Sequence, residues 1–182
     1  MFGLVSDETL IKRALDGSER AWLQLVKRHE ERVYNHALRM SGNPDDAMDI
    51  MQEVFLSVYR NLDGFRGDSR FTTWLFRIAA FRCTDYFRRQ KVRGDVREST
   101  DIEDETTTPS RALEDYQDNR GLAEMMQRLP PDQRIVVELK YFQHFTFEEI
   151  GEQIGISPNT AKTRLYTALD KLRQGEPIAL AG

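Results

Sequence analysis

Five helix-start signals are spaced along this chain, and together they leave room for little but an all-α fold. Ser6 precedes Asp7 and Glu8, Ser18 opens a run with helical apolar spacing, and Asn43 precedes Pro44, Asp45 and Asp46. Thr146 and Glu149 have the T-x-x-E spacing of a reciprocal capping box, and Ser157 stands before Pro158. A short oxygen-bearing side chain at such a position accepts from amide groups that the first helical turn leaves unpaired. Acids and proline suit the same donor-rich end. Between the caps, apolar residues recur at helical period and strand-like alternation is absent. Trp22, Val26, Val33, Ala37 and Met40 form one stripe; Ala47, Ile50, Met51, Val54, Phe55 and Val58 form a second. Gly17, Gly42 and Gly155 fall where helices must stop. A fourth helix is expected from about Phe71 to Gln90. A later one should end near Leu129, broken by Pro130 and Pro131, with another over about Asp132 to Phe142.

The net charge of −4 argues against a nucleic-acid partner only until it is located. Residues 93–120 hold four arginines against nine acids, and Thr106, Thr107, Thr108, Pro109 and Ser110 add almost nothing apolar. This stretch is expected to be a flexible acidic linker, and it carries the formal acidity. The chain therefore divides into a domain over 1–92, a linker over 93–118, a second domain over 119–175 and a tail over 176–182. No apolar run reaches the ~18 residues of a membrane-spanning helix. The first six residues lack the basic start and apolar stretch of a signal peptide, so a cytoplasmic location is expected. Cys83 is the only cysteine, which excludes an internal disulfide and suits a small buried hydrophobe.

Three constellations carry function. In residues 146–169, Ile150 and Ile154 share a helix face, Gly151 allows a close approach, and Gly155 supplies a tight turn plugged by Ile156. Ala161 and Leu165 then return to the core. This is the spacing of a helix-turn-helix. Its second helix presents Asn159, Thr160, Lys162, Thr163 and Tyr166 outward, and residues 157–173 carry four cations, Arg164 among them, against Asp170. Such a helix suits a major groove, with side chains on base edges and cations on phosphates. Residues 69–93 hold seven cations (Arg70, Arg77, Arg82, Arg88, Arg89, Lys91 and Arg93) against one acid, Asp85. Phe71, Trp74, Phe76, Phe81, Tyr86 and Phe87 are interleaved, a combination that suits separated strands; a helix packed on two sides accounts for the aromatics as well. Asp46, Asp49, Gln52 and Glu53 make an acidic helix face, either solvated or built for docking a protein. A metal site there is a poorer reading, because His29 and His36 fall near the Trp22–Met40 stripe and suit packing; no cofactor is expected. No phosphate-cradling glycine loop or nucleophile–base–acid set is present, so an enzyme is not expected.

The segment from Asp46 to Leu56 resembles the D-A-x-D-x-x-Q-E-x-F motif of extracytoplasmic-function RNA polymerase sigma factors, in the sigma-70 superfamily. The segment from Phe65 to Ala79 is similar to their F-x-G-x-S-x-F-x-T-W-L-x-R-I-A motif. Leu129-Pro130-Pro131-Asp132-Gln133-Arg134 and Thr160-Ala161-Lys162-Thr163-Arg164-Leu165 resemble the start and the recognition helix of their C-terminal domain. Four collinear motifs over roughly Ser6 to Arg173 are specific where any one alone is not.

The resemblance implies two small helical domains and a division of labour. Asp49, Gln52, Glu53 and Phe55 would bind core RNA polymerase at its β′ clamp helices. Phe65, Arg66, Ser69, Phe71, Trp74, Arg77, Phe81, Arg88 and Arg89 would melt and read the minus-ten element, with Trp74 as structural support. A base flipped from the stack would add cost and supply selectivity. Asn159, Thr160, Lys162, Thr163, Arg164 and Tyr166 would read the minus-thirty-five element beside the β flap. The linker would lie in the polymerase's RNA path, although a passive tether accounts for its composition equally. An anti-sigma factor, often membrane-bound in this family, would be a further partner. Two residues depart from the pattern: Phe81 stands where Asn is frequent, and Thr167 where Arg is frequent. A phenyl ring cannot hydrogen-bond a base edge, so minus-ten selectivity is expected to rest on shape, stacking and loop backbone. Two other readings compete: a helix-turn-helix regulator that binds DNA unaided, and a metal-dependent hydrolase using Asp46, Asp49 and Glu53.

Overall fold

A computed structural model of the chain describes residues 5–94 and 110–175, with the backbone alone for 110–117. The expected tail over 176–182 and the linker residues 95–109 lie outside the described residues. All regular structure among the described residues is helical.

The first unit contains α1 (Asp7–Leu15), α2 (Glu19–Ser41), α3 (Pro44–Asn61) and α4 (Phe71–Arg93). A 3-10 turn over Leu62–Gly64 lies between the last two. The caps form as expected: the hydroxyls of Ser6 and Ser18 accept from Thr9 and Ala21 amides, and Asn43 accepts from those of Asp45 and Asp46. Gly42 closes α2 in the left-handed region, at φ 71°. Leu25, Val33, Ala37 and Met40 of α2 meet Ile50, Val54 and Val58 of α3 and Leu75, Ala79 and Cys83 of α4 in one core. Burial pushes the Cys83 thiol well above the ordinary thiol range, as expected of an inert thiol. Asp7 ties α1 to α2 by accepting from Arg28 Nη1 at 2.7 Å and His29 Nε2 at 2.9 Å.

The second unit contains α5 (Ser110–Gln127), α6 (Pro131–Val137), α7 (Phe147–Ile154) and α8 (Pro158–Gln174). The helix expected over 132–142 changes pitch: α6 ends at Val137 and a π-helical turn covers Glu138–Phe142. Helix α4 runs to Arg93, and α5 is helical from Ser110, inside the acidic stretch. Composition marks where a chain is polar. It does not mark where a polar helix gains a surface to lie on, and α5 packs along α2, with Ala123, Met126 and Leu129 buried.

The two units are in direct contact. Gln127 of α5 donates to the carbonyl of Arg39 at 3.0 Å, and Gln153 of α7 donates to the carbonyl of Arg77 at 2.7 Å. Arg134 is buried and donates to carbonyls of both units: Met126 at 3.0 Å and Leu129 at 2.9 Å in its own, and Met40 at the end of α2. The guanidinium fork thus supplies donors where α2 and α5 leave carbonyls unpaired.

Candidate nucleic-acid interface

Helix α3 presents Asp49 and Gln52 to solvent, while Glu53 is half-buried. Phe55 turns inward and is 9% exposed. It borders an open apolar cleft of about 660 Å³ between α1, α2 and α3, with Trp22, Leu23, Met51, Leu56 and Tyr59. Trp22 meets Phe55 and Tyr59 edge-on, at 6.5 and 5.1 Å between ring centres. Leu23, Leu56 and Tyr59 are exposed, and the sequence reading did not select them. Their signal was present as large apolar residues outside the core stripes.

The loop and α4 place the residues selected for the minus-ten element in four settings. Phe65, Phe71 and Trp74 form an aromatic cluster with centre distances of 5.3–5.9 Å. Phe71 also packs on His29 and is only 3% exposed, holding the start of α4 in the core. Trp74, Arg77 and Phe81 line a second cleft of about 360 Å³, together with Ser57, Asn61 and Arg82. Phe81 is 57% exposed, and Arg82, whose guanidinium lies 5.5 Å from the centre of that ring, donates to the Ser57 hydroxyl at 2.8 Å. Arg66 and Arg88 are exposed and Ser69 half-exposed. Arg89 reaches back to α3, bonding Glu53 at 2.8 Å and Asp85 at 3.2 Å. One residue assigned to DNA therefore pairs with one assigned to the polymerase. The Glu53 carboxylate raises the Arg89 guanidinium's already high pKa.

In the second unit, Thr146 and Glu149 form the full capping box at the start of α7. Gly155 takes φ 72°, and a Cβ on Gly151 would stand 2.6 Å from the carbonyl oxygen of Ile156. The Ser157 hydroxyl caps α8 by accepting from the Thr160 amide at 3.0 Å. Ala161, Leu165 and Ala168 face inward; Asn159, Thr160, Lys162, Thr163 and Tyr166 are exposed. Arg164 is half-buried, 3.7 Å from Asp132.

His29 and His36 are buried, but packing is only part of their role. Burial pushes the His29 pKa down, against the opposing pull of the Asp7 carboxylate 2.9 Å from Nε2. His36 Nδ1 lies 3.0 Å from Glu138 in the other unit. Among the described residues no group of three or more His, Cys, Asp or Glu is placed to hold a metal ion, and no helix is long and apolar enough to cross a membrane.

The pairing of a basic, aromatic-bearing helix with a helix-turn-helix is the architecture of promoter-recognition subunits. A family model for Sigma-70 region 2 matches residues 25–93, and one for Sigma-70, region 4 matches residues 120–172. Over 167 residues the chain is 36% identical to the RNA polymerase sigma factor CarQ of Myxococcus xanthus, covering 90% of this chain and 94% of that one. It is 30% identical over 174 residues to the sigma factor SigW of Bacillus subtilis, covering 90% and 93%. The solved structure of CnrH in complex with the cytosolic domain of CnrY is similar at a TM-score of 0.63 and 26% identity, covering 92% of this chain and 95% of that one. The chain belongs to the extracytoplasmic-function sigma factors of the sigma-70 family.

Proposed function

We propose that this protein docks on core RNA polymerase through the acidic edge of α3, opens and reads the minus-ten element with the 65–69 loop and α4, and reads the minus-thirty-five element with α8. Asp49, Gln52 and Glu53 supply charge and hydrogen bonds for docking, and Phe55 backs the adjoining apolar cleft. Arg66, Arg77, Arg88 and Arg89 neutralise phosphates, and Phe81 offers an exposed ring for a base. Asn159, Thr160, Lys162, Thr163, Arg164 and Tyr166 face the upstream duplex, which they enter from the capped end of α8. The reading assigns the protein binding and strand separation, with no catalysis and no cofactor of its own, and a cytoplasmic place of action. CnrH is seen with the cytosolic domain of CnrY. By similarity, an anti-sigma factor controls this chain too.

The observation that carries the reading is the position of the exposed acidic edge of α3 beside the basic α4. Charge reversal at both Asp49 and Glu53 tests it. The double variant should keep its helical circular dichroism and lose core-polymerase affinity by about tenfold or more, as expected when complementary charge becomes repulsive. Unchanged affinity would remove the docking assignment.

A further inference from the structure

Helix α4 carries more arginines than the proposed phosphate contacts use, and Arg82 is held in a way that sets it apart. Its Nε donates to the Ser57 hydroxyl on α3 at 2.8 Å. Ser57 is buried, and its own hydroxyl donates to the Glu53 carbonyl at 2.7 Å, one turn earlier in α3. Asn61 steadies the same turn by donating to the Ser57 carbonyl at 2.7 Å. The Ser57 oxygen is therefore a fixed acceptor, and it ties down one edge of the guanidinium. Among the described residues Arg82 has no carboxylate partner, whereas Arg88 and Arg89 on the same helix both pair with Asp85.

Arg82 and Ser57 border the cleft of about 360 Å³ between α3 and α4, to which Trp74, Ile78 and Phe81 give apolar walls. The Arg82 guanidinium lies 5.5 Å from the centre of the exposed Phe81 ring. A phosphate gains nothing from the rings, and a cation that serves phosphates alone needs no tether. An unpaired base gains from both, because it has a flat face to stack and an edge that takes directed hydrogen bonds. With Nε engaged by Ser57, the two terminal nitrogens remain as a fork of donors. Such a fork matches two adjacent acceptors. Guanine offers O6 and N7 side by side, the specific contact arginine makes most often. Its fused rings also cover more of Phe81 than the single ring of a pyrimidine does.

We infer that Arg82 is a specificity-determining residue for the minus-ten element, taking an unpaired guanine of the non-template strand against Phe81, and that Ser57 is its positioning residue. The inference rests on the proposed function and deepens it. To the stacking and loop contacts expected where Phe81 stands, it adds a hydrogen-bonded contact from the neighbouring side chain. The tether matters because a free arginine loses rotamer freedom when it binds, and one already held by Ser57 loses less. Lysine is no substitute, since its ammonium is a point charge without a fork.

The test uses holoenzyme assembled from bacterial core RNA polymerase and the full chain, transcribing a promoter library whose minus-ten element is randomised. Wild type should favour guanine on the non-template strand at one position by about tenfold. Arg82→Ala and Arg82→Lys should both abolish that preference and leave those at other positions unchanged. Ser57→Ala, which removes one hydroxyl and keeps the charge, should weaken it by about threefold. It keeps the test decisive if the Arg82 variants do not fold. A guanine analogue with carbon in place of N7 should lower initiation by wild type and not by Arg82→Ala. The absence of a guanine preference, or one that any of these variants leaves unchanged, overturns the inference. So does a uniform loss across all sequences in Arg82→Ala that Arg82→Lys restores, which is the pattern of a phosphate contact. In each of those cases transcripts made by the wild-type holoenzyme leave the sigma-factor reading intact. No transcript from any library member would remove that reading, and the inference with it.

Discussion

Glu138 shows how much one side chain's environment decides. Burial alone would raise its carboxyl pKa, but the hydrogen bonds from Arg39 and His36 outweigh that and hold it at about 2. Burial also lowers Arg134 to about 10, still charged at neutral pH. An ordinary unfolded carboxyl titrates near 4.3. Because the folded value is depressed, the stabilisation from Glu138 is complete above that pH and is lost as pH falls towards 2. The linked contribution is roughly 3 kcal/mol. Thermal melting should therefore fall between pH 5 and pH 2.5, and Glu138→Gln should flatten that part of the profile. Equal slopes in the two proteins would show that other carboxylates govern it. Nothing in the local sequence distinguished Glu138 from the exposed Glu148 or Glu152, because its partners lie about a hundred residues away.

Helices were the most legible level. The caps at Ser6, Ser18, Asn43, Thr146 and Ser157 all form, because each depends on residues within one turn of itself. What misled was the periodicity of α4, whose faces are packed on more than one side. Phe71 and Phe81 belong to one stripe by spacing, yet one is in the core and the other in solvent. The helix-turn-helix makes a sharp prediction. Alanine favours a helix interior over glycine by about 1 kcal/mol. At Gly151, however, the added Cβ would meet backbone, the Ile156 carbonyl, at 2.6 Å. Overpacking against atoms that cannot rotate away costs about 1–3 kcal/mol. Gly151→Ala should thus destabilise the second unit in urea titration and weaken upstream-duplex binding. A variant as stable as wild type would mean that the turn gives way at little cost.

For the whole molecule, the proposed division of labour carries one expectation. In a gel-shift assay at moderate salt, the chain alone should bind promoter DNA weakly, and core polymerase should make binding strong and specific. A helix-turn-helix regulator working unaided would need no such addition, so equal binding with and without polymerase would favour it. Periodicity, caps and charge placement, all set by neighbouring residues, already determined the all-α class, the helix-turn-helix and the basic α4. Four ordered motifs determined the family. Only the tertiary structure decided that Phe71 is core, that Arg89 pairs with Glu53, that α5 begins inside the acidic stretch, and that His36, Arg39 and Glu138 meet. Those outcomes depend on which surfaces approach one another across the fold, and hydrogen bonds between residues a hundred positions apart leave no trace in local spacing.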